Sequence, residues 1–421
     1  MAPRLKSALA ICAIAVPLFI ASAIGLDRSP VTLHADESYA AAAARSFTGR
    51  GTDVEGRSFP LYFHAHDNVW LQPILVYVTA LWLKIAPYSQ ASIRMPSVFI
   101  GLIDVVLMYC LAKQLFDREL PAVLASAVLG LAPAHFIHSR LALDSLYPVP
   151  FVLLWMLFVV GFMKRGTRWL LFGGTLSLGI GVYSHPASVL MMPVYLLLTC
   201  VALRRTAQEP LATTAIGALG FALPLVPLAV WLTTHPGAYL DTVGVYGIHP
   251  AHLRDPIGGL RAFLNWNTLT TRVTTYWEFF DPMFLFVRDP GTLVHSTQRA
   301  GVLLLPAAVF LPVGIHALVT SANRRHALIL LSGFLSAPLA ASMVDERYAI
   351  ARAMALVPFA ALIATYGARA MLSSSQKSWR ACAVCLLILG PIQFGVFLGD
   401  YFTGYRERSS VAFTASILPE D

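Results

Sequence analysis

The chain has 421 residues, 57% hydrophobic and only 12% charged, with a mean hydropathy of +0.67 and a net charge of +8. Apolar stretches long enough to cross a bilayer recur from residue 8 to residue 398, which leaves no room for a soluble domain of ordinary size and excludes a soluble protein. The Lys and Arg residues cluster in short gaps between apolar runs, so the basic excess is a topology signal and not a nucleic-acid surface.

The first apolar stretch, 8–26, follows Arg4 and Lys6 and has no convincing small-residue cleavage site, which predicts a retained signal anchor. About ten residues later the run His34-Ala35-Asp36-Glu37-Ser38-Tyr39-Ala40 opens an alanine-rich helix over 36–47. Asp36 stands at its start, where the helix dipole favours an ionised carboxylate. Trp70 to Ala86 has an uninterrupted apolar part of only about fourteen residues, too short for a crossing, and reads as an interfacial or re-entrant helix. The spans are then 8–26, 95–115, 121–139, 147–163, 169–184, 187–203, 211–232, 300–319, 327–343, 350–370 and 381–398, eleven in all.

With a cytoplasmic N-terminus, the inner gaps hold Lys113 and Arg118; Lys164, Arg165 and Arg168; Arg204 and Arg205; Arg324 and Arg325; and Arg369, Lys377 and Arg380. A crossing at 70–86 would turn every one of these clusters outward, against the positive-inside bias. The outer face then carries residues 27–94, the turns at Arg140 to Asp144, His185 and Asp345 to Arg347, the loop 233–299 and the tail 399–421. Backbone near lipid needs internal partners, so the first loop is predicted to fold as helices lying on the membrane. The expected architecture is one all-α polytopic unit over 1–421.

Several smaller features have bland readings. The five cysteines lie in or at the ends of apolar segments and imply no disulfide framework, and Cys382 and Cys385 read as a packed pair rather than a redox or zinc site. His64, His66 and Asp67 read as solvated. His135 and His138 share a helical face near Asp144 and read as a polar mouth or a hydrated interface. Asp104 and Arg352 lie in apolar stretches, where charge is paired or faces a cavity. His185-Pro186 makes a turn between spans.

The order of features resembles glycosyltransferases of the GT-C fold, and by pattern the protein O-mannosyltransferases and the aminoarabinose transferases of lipid A. The carrying residues are one span, Asp36-Glu37-Ser38-Tyr39-Ala40, an interfacial segment with Pro73, and Arg94-Met95-Pro96-Ser97 opening a span that ends Leu111 to Phe116. The likeness continues through Leu131-Ala132-Pro133, Ser139-Arg140 and Asp144, and returns at Arg347-Tyr348. It implies transfer of a sugar from a polyprenyl-phosphate donor, with Asp36 as base, Glu37 beside it and Asp144 as the second external acid. Arg347 takes the place of a late external arginine used on the lipid phosphate, and Tyr348, Arg94 and Arg140 fall in matching motifs. Gln72-Pro73 departs from the pattern by replacing a His or Lys that commonly precedes one or two prolines.

The chemistry agrees with the likeness. A lipid phosphate leaves as a stable anion and needs clamping more than a general acid, so one carboxylate that takes the acceptor proton suffices, with inversion at the anomeric carbon. A hydrolase would need two carboxyls astride the bond. In loop 233–299, Trp266 and Trp277 are suited to stacking on an acceptor, whether protein, glycolipid or polysaccharide. No cofactor is expected, and nothing in the spacing indicates a divalent metal. The competing class is a lipid or solute transporter, which would show internal repeats and matching Gly/Pro-broken helices.

Overall fold

The computed structural model describes residues 3–66, 69–203, 210–235, 258, 261, 265–344 and 346–413. Its helices in chain order begin with α1 (Pro3–Ala23), α2 (Ala35–Arg50), α3 (Pro73–Leu83), α4 (Gln90–Phe116), α5 (Glu119–Gly130) and α6 (Pro133–Ser139). There follow α7 (Pro148–Arg165), α8 (Arg168–Gly181), α9 (Ser188–Leu203), α10 (Pro210–Ala222), α11 (Val226–Thr234) and α12 (Trp266–Glu278). The last five are α13 (Ala307–Val319), α14 (Arg324–Ser336), α15 (Leu356–Leu372), α16 (Lys377–Phe402) and α17 (Gly404–Ser409).

Among the described residues six helical segments are long and apolar enough to cross a bilayer, namely Leu5–Ala23, Gln90–Phe116, Asp144–Arg165, Leu211–Thr234, Arg324–Met343 and Lys377–Phe402, and the bent pair α5–α6, taken as one span, makes a seventh. The remaining expected spans coincide with α8, α9, α13 and α15, helices of 14, 16, 13 and 17 residues. This is a multi-pass membrane protein. Helix pairs in such bundles are held by close packing of small residues. Here a Cβ at Gly314 of α13 would run into the Ile363 carbonyl oxygen of α15, and one at Gly367 into that of Phe310.

The segment after α2 departs from the all-helical expectation. Residues Phe63–His66 (β1) and Val69–Leu71 (β2) pair antiparallel, with Phe63 opposite Leu71 and His64 opposite Trp70. Aromatic and β-branched side chains favour the strand, and the pairing satisfies backbone groups that a helix was expected to satisfy. Helix α3 has 11 residues, about 16 Å at the helical rise, roughly half of a hydrocarbon core. It packs with the hairpin against the alanine face of α2, where Ala43, Ala44, Phe47, Phe63, Val76 and Ala80 form one buried cluster.

The expected third span is broken. Helices α5 and α6 meet at 64°, because Pro133 carries no amide hydrogen and forces Ala132 into an extended conformation (φ −65°, ψ 125°). The break carries His135 and His138 inward, so both are buried and neither forms a hydrated interface.

The chain returns to its starting end. The Phe413 ring packs on His34 at 6.1 Å between centroids, Arg94 lies 6.0 Å from the same ring, and the Thr32 hydroxyl donates to the Phe413 carbonyl. An even number of passes therefore separates the first loop from the tail, as ten spans without α3 would give. At the other end, Lys113 pairs with Glu119 and Lys164 with Asp117. With the native cysteines removed, single cysteines at Glu55 and Ser410 should both react with an impermeant external reagent while one at Ser375 is protected; opposite labelling of Glu55 and Ser410 contradicts this arrangement.

Candidate active site

Helix α2 starts with a reciprocal cap. The N-cap residue is His34, whose Nδ1 accepts from the Asp36 amide at 3.3 Å, while the His34 amide donates to Glu37 Oε2 at 2.9 Å. The cap is therefore shared by His34 and Glu37. The Asp36 carboxylate stays 65% exposed, with Oδ2 3.5 Å from His34 Nδ1. Unprotonated, this nitrogen caps the helix; protonated, it pairs with Asp36. The hydrogen bond to Asp36 is the main reason that the His34 pKa is raised above 6.5, and burial opposes it.

Glu37 differs from the expected catalytic partner. It is fully buried, and both oxygens are saturated: Oε1 accepts from Arg94 Nε and the Ala142 amide, each at 2.8 Å, and Oε2 accepts from Arg94 Nη2 at 2.8 Å and from His34. Arg94 is equally committed. Its other guanidinium hydrogens go to the carbonyls of Leu26, Pro30 and Thr32 at 2.9, 3.0 and 2.7 Å. Arg140 is also fully buried, and it donates to the carbonyls of Ala21, Ser22, Ile24, Gly25 and Ser29 and to the Tyr401 hydroxyl. Neither arginine has a hydrogen free for substrate. They satisfy the carbonyls of the irregular chain after α1, where no helix can do so.

Asp144 opens a short 3-10 turn (Asp144–Leu146) before α7, with its side chain 26% exposed. Oδ1 lies 3.8 Å from His185 Nε2, and the charges of Asp36 and Arg352 act on it from other elements. Asp36 and Asp144 thus lie near enough to each other for their charges to interact. His185 is buried, its Nδ1 accepts from the Ala187 amide at 3.0 Å, and burial lowers its pKa to about 3, so it stays neutral. A small cavity near this turn is lined by Ser145, His185 and Arg352 together with Met191, Met192 and Tyr195 of α9.

Arg352, which the sequence marks only as a charge in an apolar run, is the cation of this cavity. Its Nε lies 3.3 Å from Glu346 Oε2. Arg347 turns elsewhere: it is 67% exposed and its Nε donates to Glu278 at the end of α12 at 2.7 Å, so it does not meet the cavity. Tyr348 adopts φ +56° and packs on Phe284 at 5.3 Å between centroids. Trp266 and Trp277 are exposed on α12, eleven residues apart and so within about 20° of one face. Gln72 precedes α3, buried, with Oε1 unbonded among the described residues.

The remaining titratable groups form pairs. His135 Nε2 lies 3.3 Å from Asp104 Oδ2, and His64 Nδ1 lies 2.7 Å from Glu55 Oε1. Asp67 and Asp345 lie outside the described residues, as does residues 236–257 of the long loop. Among the described residues no three His, Cys, Asp or Glu side chains group as metal ligands.

Comparison with known proteins places the fold. A profile of dolichyl-phosphate-mannose-protein mannosyltransferases matches residues 71–231. No curated protein matches the chain by sequence. Among solved structures, ArnT from Cupriavidus metallidurans bound to undecaprenyl phosphate superposes with a TM-score of 0.58 at 14% identity, over 97% of this chain and 76% of that one. The archaeal oligosaccharyltransferase AglB from Archaeoglobus fulgidus, in complex with an inhibitory peptide and a dolichol-phosphate, gives 0.54 at 14% identity, over 95% of this chain and 56% of its own. The chain spans about half the length of the oligosaccharyltransferase structures that it matches. The fold is that of the GT-C glycosyltransferases.

Two outcomes follow from the site's construction. Glu37→Gln leaves a buried guanidinium uncompensated and should destabilise the protein by about 3–5 kcal/mol, read as a lowered thermal unfolding midpoint in detergent. The His34–Asp36 pair has the opposite pH dependence to a simple carboxylate effect. A raised histidine pKa means its stabilisation is complete below pH 6.5 and is lost as the pH rises through the folded value. The stability gap between wild type and Asp36→Asn should therefore be widest below pH 6.5 while the Asp36 carboxylate is still ionised, and shrink as the pH rises through the raised histidine value.

Proposed function

We propose that this chain transfers a sugar from a polyprenyl-phosphate donor to an acceptor hydroxyl, with Asp36 as the base and inversion at the anomeric carbon. One observation carries this reading above the rest: an exposed carboxylate at a helix start, fixed beside the buried Glu37–Arg94 pair, lies near Asp144, His185 and Arg352. A carboxylate that can take a proton and a guanidinium that can hold a phosphate are the two groups such a transfer needs. Arg352 is the group we assign to the donor phosphate, because a guanidinium holds two phosphate oxygens and balances the charge that grows on them as the sugar leaves. The acceptor approaches from the side of Asp36, which takes the hydroxyl proton as the new bond forms and the lipid phosphate departs with the electron pair. Asp144 orients the acceptor from the opposite wall.

The positive-inside bias places the site on the external face of the cell membrane, with the N-terminus cytoplasmic. Trp266 and Trp277, on one exposed face of α12, are assigned to acceptor stacking. The acceptor class, whether protein, glycolipid or polysaccharide, follows from what this face binds. Arg347 anchors that helix through Glu278 and acts on the donor only indirectly.

Release of polyprenyl phosphate from a sugar-charged donor by membranes with matched protein levels tests the assignment. Asp36→Asn should lose on the order of a hundredfold in rate. Activity within a few-fold of wild type would reduce Asp36 to part of a helix start. Arg352→Ala should weaken donor use by roughly tenfold or more, Arg352→Lys less, and Arg347→Ala should leave the donor KM near normal. The reverse ranking of Arg352 and Arg347 would move the phosphate site to Arg347.

A further inference from the structure

Residues 289–300 form a closed loop. The Asp289 amide donates to the Ala300 carbonyl at 2.9 Å, the Ser296 hydroxyl to the Asp289 carbonyl at 2.8 Å, and the Gln298 side-chain amide to the Gly291 carbonyl at 2.8 Å. The loop is tied to α17 by Tyr405, whose hydroxyl donates to the Leu293 carbonyl at 2.7 Å, and by Arg408, which donates to the Thr297 carbonyl at 3.2 Å. This scaffold delivers His295. Its ring stacks on His138 with centroids 5.1 Å apart and planes at 4°, and its Nδ1 lies 3.2 Å from His138 Nε2.

The bonding pattern fixes where the protons are. His138 Nδ1 lies 2.7 Å from the Ala134 carbonyl oxygen, and a carbonyl only accepts, so His138 carries its proton on Nδ1. His138 Nε2 is then an acceptor, and His295 Nδ1 must be the donor to it. That leaves a lone pair on His295 Nε2, which points away from His138 and has no hydrogen-bond partner among the described residues. The charges of His34, Arg352 and His185 reach His295 beyond that of His138, so it lies near two residues, His185 and Arg352, that line the cavity described above. Burial and these neighbours hold its pKa well below the ordinary histidine value, and the ring stays neutral.

We propose that His295 is a substrate-binding residue whose Nε2 accepts a hydrogen bond from a hydroxyl of the transferred sugar. The inference rests on the glycosyl-transfer reading and deepens it. A phosphate oxygen offers Nε2 no hydrogen, and the acceptor hydroxyl is directed to Asp36. The sugar hydroxyls are the remaining donors beside a phosphate held at Arg352. A neutral ring with its proton pinned on the far side is therefore selective for the sugar-bearing lipid over the bare lipid phosphate. His138 is the positioning residue, acting through His295 by fixing its tautomer.

The test is binding by purified full-length protein of two probes, undecaprenyl phosphate and undecaprenyl-phosphate-linked mannose. His295→Phe keeps a flat ring for stacking and removes both nitrogens. It should lose about tenfold in affinity for the mannose-bearing lipid and none for the bare lipid phosphate, which also shows that the variant is folded. His295→Gln, whose side-chain oxygen can take the place of Nε2, should recover part of the loss. Unchanged binding of the mannose lipid by His295→Phe, or an equal loss on both lipids, overturns this inference and leaves the transferase reading standing. Wild-type protein that binds neither lipid overturns both.

Discussion

The buried ion pair between Glu37 and Arg94 holds together the end of this protein that carries Asp36 and Asp144. Its carboxylate accepts four hydrogen bonds, from Arg94 twice, from the His34 amide that starts α2 and from the Ala142 amide in the turn before Asp144. Two segments that carry candidate catalytic carboxylates are thereby fixed to one buried side chain. Arg94 extends the network into the carbonyls of Leu26, Pro30 and Thr32, and Arg140 does the same for five carbonyls between Ala21 and Ser29. In a medium that offers no water, irregular backbone must find such partners inside the protein. The chain can leave α1 and turn into α2 without a helix because two guanidinium groups replace the missing hydrogen bonds.

This scaffold divides labour between adjacent residues. Asp36 and Glu37 are neighbours in sequence, yet one carboxylate is mostly exposed and the other fully buried. Burying a carboxylate is tolerable only with a complete set of donors, and Glu37 has it. The exposed neighbour gains a fixed position at the start of the helix. The same contrast separates the late arginines: Arg352 lines a small cavity together with His185, near Asp144, while Arg347 pairs with Glu278.

The break at Pro133 gives the site its second wall. A straight third span would have left His135 and His138 at the membrane surface. Bent by 64°, it sends His135 to Asp104 and His138 to His295. The stacked histidine pair joins the loop 289–300 to α6, in the first third of the chain, a contact spanning 157 residues.

The sequence by itself determined the membrane class, the helical segments, the short surface helix before α4 and the position of Asp36 at a helix start. These follow from local quantities: the length of an apolar run, the spacing of charges and the residues that open a helix. Only the tertiary structure decided which charged residues are buried in hydrogen-bond networks and which stay accessible. Arg94, Arg140, Arg347 and Arg352 are alike in sequence as isolated cations near apolar runs, and Glu37 resembles Asp36. Whether a guanidinium is free depends on which distant carbonyls surround it, and whether a carboxylate is buried depends on how α2, α4 and the Ala142 turn converge. The proton on His138 is decided in the same way. It is set by the Ala134 carbonyl within its own helix, but it acquires meaning only where folding brings His295 within 3.2 Å.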